Sequence, residues 1–153
     1  MAKPIVPLLR EHYAAVAKDL LTPLVDLLNA GRASTGGDLD SLLIMLVVAL
    51  RTAEDRRIAG LTLDQVMSGE IETYPSLMTN VRSIADSTGI PKETVRRKVS
   101  ALIDAGWIRR ENHNLSLTPH ASRMLTGVRE ALFQMAVRAH QTLTPYAEPT
   151  EEA

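Results

Sequence analysis

The chain contains no cysteine, which removes disulfide frameworks, thiolate metal sites and thiol redox switches together. Aromatic residues make up only 3%. A core must therefore be filled by Leu, Val, Ile, Ala and Met, and such a core favours packed helices over a β-sandwich. Long apolar runs are missing too: the longest, LLIMLVVAL from Leu42 to Leu50, is too short to span a bilayer. The amino terminus MAKPIVPLLREHY lacks a signal-peptide pattern, because Pro7, Arg10 and Glu11 interrupt its apolar stretch. The expectation is a soluble, cytoplasmic protein with no membrane partner.

The parts of an active site are equally scarce. There is no cysteine nucleophile, no G-x-S-x-G, no phosphate loop and no Asp/Glu/His cluster on one inferred face. His12, His113, His120 and His140 have neither H-x-x-x-H spacing nor carboxylate company. Neither an enzyme, a cofactor nor a metal site is expected.

What the chain does have is an uneven charge. Its net charge is -1, yet from Thr79 to Pro119 seven basic residues (Arg82, Lys92, Arg96, Arg97, Lys98, Arg109, Arg110) face four acids (Asp86, Glu93, Asp104, Glu111). The remainder carries ten basic against fourteen acidic residues. Such asymmetry directs attention to an anionic partner at the basic segment.

The 153 residues suit one domain with helical extensions. From Pro4 to Asn29, apolar residues recur at three- and four-residue steps, the mark of an amphipathic helix, with a kink or break expected at Pro23. Gly31 to Asp38 is loop by composition. Asp40 or Ser41 can cap a second helix to about Arg57, apolar nearly all round and so expected to be deeply buried. Thr62 can cap a short helix through Met67, with Ser68 to Pro75 as loop. Asn80 can cap a helix ending near Ser87 at Gly89. Pro91 then opens a helix that buries Val95, Val99, Leu102 and Ile103 and stops at Gly106. A small hairpin follows, with Ile108 on one strand, a tip near Glu111 to Asn114, and Leu115 and Leu117 alternating with Ser116 on the return. Thr118 caps a last helix from Pro119 to Leu143, and the proline-rich, acidic tail is expected to be disordered.

Helix, glycine turn, second helix and hairpin in that order make a winged helix-turn-helix arrangement. Through SIADSTGIPKETVRRKVSALIDAGWI and the following RRENHNLSLTPHA, the chain resembles bacterial winged helix-turn-helix transcription regulators of the MarR and IclR sort. The wing is short and lacks the Asp-x-Arg signature usual in MarR members. The resemblance implies that the second helix enters the major groove while the wing touches the backbone or minor groove. It implies contacts with double-stranded DNA from Lys92, Thr94, Arg96, Arg97, Lys98 and Ser100, and from Arg109, Arg110, His113 and Asn114 in the wing.

Physical chemistry supports the same residues independently. A guanidinium makes bidentate bonds to guanine O6 and N7 or to phosphate, whereas lysine neutralises phosphate with little directionality. Arg96, Arg97 and Lys98 stand about 100° apart, so one or two can read bases while the others hold phosphates. Glu93 can accept from a cytosine amino group or pair with Arg97. Trp107 reads as an anchor at the base of the wing rather than a stacking platform.

The fold class expected is mainly α: residues 1–37 as an N-terminal dimerisation helix, 38–118 as the winged helix-turn-helix domain, 119–143 as a C-terminal dimerisation helix and 144–153 as tail. The apolar stripes of the terminal helices exceed what one DNA reader requires, which favours a homodimer on a palindrome. A small-molecule effector has no direct support; Met45, Met67, Met78, Met124 and Met135 read as core filler or as the lining of an adaptable pocket. The alternative function is a winged-helix module that docks an acidic protein.

Overall fold

A computed structural model describes residues 4–75 and 78–147. In chain order its elements are α1 (Ile5–Glu11), α2 (Tyr13–Ser34), α3 (Leu39–Ala53), α4 (Arg56–Ala59), α5 (Leu63–Met67) and α6 (Val81–Thr88). There follow α7 (Lys92–Asp104), β1 (Ile108–Glu111), β2 (Asn114–Leu117), α8 (Pro119–Met124) and α9 (Thr126–Ala147). The fold is mainly helical with one two-stranded antiparallel sheet. The described residues form two compact units, one of residues 32–126 and one of residues 4–31 with 127–147.

In the terminal-helix unit, α2 and α9 run antiparallel: the His12 and Tyr146 rings stack with centroids 4.7 Å apart, and Arg138 meets Asp19 at 3.3 Å. The expected break at Pro23 is corrected to His12. The α2 helix continues through Pro23 and over residues 31–34, where composition suggested loop. An interior proline removes one backbone donor, which a helix can absorb by bending without ending.

The 32–126 unit is built around α3, whose inner face (Leu42, Ile44, Met45, Val48) is buried against α6, α7 and β2. Its cap is Asp38, which accepts from the Ser41 backbone at 3.0 Å, rather than Asp40 or Ser41. The helix ends at Ala53, short of Arg57, because Asp55 caps a separate turn there. Burial all round is also corrected, since Leu39, Leu43, Leu46 and Leu50 form an exposed row. Further on, Thr62 and Gln65 close a capping box on α5.

The next elements match the expected ones closely. Asn80 and Ser83 cap α6 reciprocally. Gly89, at φ 73°, ends that helix in the left-handed region where a side chain would be strained. Pro91 stands just before α7, which turns Val95, Val99 and Leu102 inward. The hairpin pairs Ile108 with Leu117 and Glu111 with Asn114, and Asn112 takes φ 54° at its tip. Ser116 departs from the expected alternation, being as buried as its neighbours. The Leu115 amide also donates to the Thr79 carbonyl at 2.7 Å, tying the entry of α6 to β2. After Thr118 caps α8, the chain breaks at Leu125 instead of continuing as one helix. Residues 144–147 lie within α9 rather than in a tail, and residues 148–153 are outside the described ones.

Candidate nucleic-acid interface

With Val95, Val99 and Leu102 buried, the 100° advance per residue turns Glu93, Arg97, Ser100 and Asp104 outward, with Arg96 on one flank and Thr94 and Lys98 on the other. Glu93 pairs with Arg96, not with Arg97: the Arg96 Nε lies 2.9 Å from one carboxylate oxygen and 3.1 Å from the other. These hydrogen bonds hold the Glu93 carboxyl below its ordinary range and raise the Arg96 guanidinium. Arg97 is exposed and makes no ion pair among the described residues. Lys92 and Ser100 are exposed as well, and Thr94 is half-buried.

Lys98 behaves differently from its neighbours. Its ammonium is turned back to Asp38 at 2.6 Å, with the side chain 19% exposed. Burial would raise the Asp38 carboxyl, but the hydrogen bond from Lys98 and those from the Ser41 backbone and hydroxyl outweigh it, leaving the pKa at about 2. Lys98 thus fixes α7 to the cap of α3, whereas the sequence had set it beside phosphate. The pair also carries a pH dependence. A carboxyl whose folded pKa is lowered from 3.8 to about 2 stabilises the fold above about pH 4, and that contribution is lost as pH falls through 2. Asp38→Asn keeps a cap for Ser41 but loses the charge. It is expected to cost about 1 kcal/mol at pH 7, after allowance for solvent screening. Urea midpoints compared at pH 7, 4 and 2.5 should converge as pH falls; a pH-independent gap would refute the assignment.

In the wing, Arg109 is half engaged already, donating to Thr73 Oγ1 at 3.0 Å and to Glu111 Oε2 at 3.1 Å. Arg110 and His113 instead line an open groove of about 350 Å³ with Asn80, Val81, Arg82 and Leu115. Asn114 is half-buried opposite Glu111. Arg82, part of the basic segment, joins this groove although the helix-turn-helix pattern assigns it no contact. Among the described residues it pairs with Asp86 at 4.0 Å, and its position in the first turn of α6 is the signal that singles it out.

No family model, characterised protein or solved structure matched this chain.

Trp107 is half-buried at the base of the hairpin, edge-on to His120 with centroids 6.1 Å apart. The methionines do not converge: Met45 is buried in the core while Met78 and Met124 are exposed. Among the described residues no three His, Asp or Glu side chains gather within metal-binding reach. No single helix among them is long and apolar enough to cross a membrane. The terminal-helix unit exposes Leu21, Leu24, Val25 and Leu28 at i, i+3, i+4 and i+7 along α2, and Leu132, Phe133 and Val137 along α9.

Proposed function

We propose that the protein is a non-catalytic, sequence-specific regulator of transcription that binds double-stranded DNA as a winged helix-turn-helix homodimer. The observation that carries this reading is the outward face of α7. An exposed Arg97 without an ion pair stands beside Arg96, on a helix whose opposite face is locked by Val95, Val99 and Leu102. The α7 helix enters the major groove, where Arg97 reads a guanine edge or holds a phosphate. Arg110 and His113, with Arg82 beside them, take backbone phosphates at the wing. The exposed apolar stripes of α2 and α9 pair two copies across a two-fold axis, so that two α7 helices meet half-sites about one helical turn apart.

The test is selection of fragmented genomic DNA on the protein at near-physiological salt, with an Arg96→Ala/Arg97→Ala variant alongside. The expected result is a discrete palindromic motif that the variant fails to recover. Recovery without any motif, or no recovery, would overturn the reading and leave the basic helix as a surface for an acidic protein.

A further inference from the structure

The exposed leucines of α3 are too regular to pass over. Leu39, Leu43, Leu46 and Leu50 are separated by steps of four, three and four, so at 100° per residue they fall in one narrow row. They are 40%, 40%, 39% and 58% exposed, although the other side of the same helix is core. Asp40 and Arg51 flank the row on the same side, one near each end.

That arrangement is self-complementary in one orientation. When two such helices lie antiparallel across a two-fold axis, Leu39 faces Leu50 of the other copy and Leu43 faces Leu46. Residues on a given flank then meet the same flank of the other helix, which brings Asp40 within about two residues, roughly 3 Å along the axis, of Arg51 of the second copy, twice over. A parallel pair would put the two Asp40 and Arg51 flanks on opposite sides of the seam, where they do not meet. Arg51 is at present held by Glu54 at 3.2 Å, with both side chains more than 40% exposed, and a bridge so wet is easily exchanged.

We infer that α3 packs antiparallel against α3 of a second copy through this leucine row. The contact lies wholly within the 32–126 unit and does not depend on DNA binding. One helix pair covers less than the roughly 800 Å² per partner of a standard stable interface, so covalent trapping reads it better than solution mass.

The absence of cysteine from the chain makes that trapping specific. In a chain carrying both Leu39→Cys and Leu50→Cys, the two thiols lie about 16 Å apart along one helix and cannot bridge within it. Mild oxidation is expected to give a disulfide-linked dimer on a non-reducing gel, while each single variant stays unlinked. Addition of Leu43→Glu and Leu46→Glu to the double-cysteine chain should abolish the link without lowering helix content, since both positions are exposed. Failure of the double variant to link, equal linking by either single variant, or a link that survives the glutamates would each overturn the inference.

Discussion

Arg97→Ala is expected to weaken binding to the selected operator by about 1–3 kcal/mol, roughly 5- to 150-fold, and to relax preference at one base pair of each half-site. Arg97 is the guanidinium at the centre of the outward face of α7, and no ion pair among the described residues must be broken before it engages a base or phosphate. Arg96→Ala should cost less, because its fork must first leave Glu93, and that exchange of partners offsets much of what it gains. Lys98→Ala should behave unlike both. Its ammonium is anchored to Asp38, so its removal should lower the melting temperature while operator affinity of the folded protein stays close to that of the parent. Fluorescence anisotropy on the operator and on a scrambled duplex, at two salt concentrations, separates the three. An order in which Lys98→Ala weakens DNA binding most would sink this account of the helix.

Truncation of Ile84 should have the largest effect on stability. This side chain is fully buried, on the helix that packs against both α3 and α7. Replacing it with alanine removes three heavy atoms and leaves a cavity that a rigid helix crossing refills poorly. A loss of about 2–5 kcal/mol is expected, a large share of the roughly 5–15 kcal/mol by which a domain is stable. The chain's single tryptophan, Trp107, lies in the same unit and reports its urea unfolding separately from the terminal helices. The midpoint should fall with an unchanged slope. A shift equivalent to less than about 1 kcal/mol would mean that the α6–α7 crossing is looser than its burial implies.

The segment from Asn80 to Thr118 could be read from sequence because its punctuation is local. Asn80 caps through its own third neighbour, Gly89 is needed at a positive φ, and Thr118 caps the turn that follows, so each boundary is written within four residues of itself. Other features depended on what lies far along the chain. Nine apolar residues in α3 suggested burial on every side, but an exposed leucine violates no rule in the way a buried charge does, and the covered face was set by β2 and α7. The spacing around α7 gave the angles of Arg96, Arg97 and Lys98 correctly. It could not say that the cap of α3 would lie beside the third of them. Alternation puts Ser116 on the solvent side of a strand, yet Leu115, Ser116 and Leu117 of β2 are all buried, whereas β1 is exposed beyond Ile108. The break at His12 has no glycine or proline behind it; what accompanies it is a ring contact with Tyr146, more than a hundred residues away.

Asp38 holds two posts at once, as the cap of α3 and as the partner of Lys98 on α7. The middle of the helix proposed to read DNA is therefore tied to the start of the helix proposed to pair copies through one carboxylate. Binding events on the two helices become linked in the thermodynamic sense, and such linkage is reciprocal. Whatever factor the pairing of α3 applies to operator affinity, the operator must return to the pairing. Two copies meeting on adjacent half-sites would then hold each other through the protein as well as through the duplex.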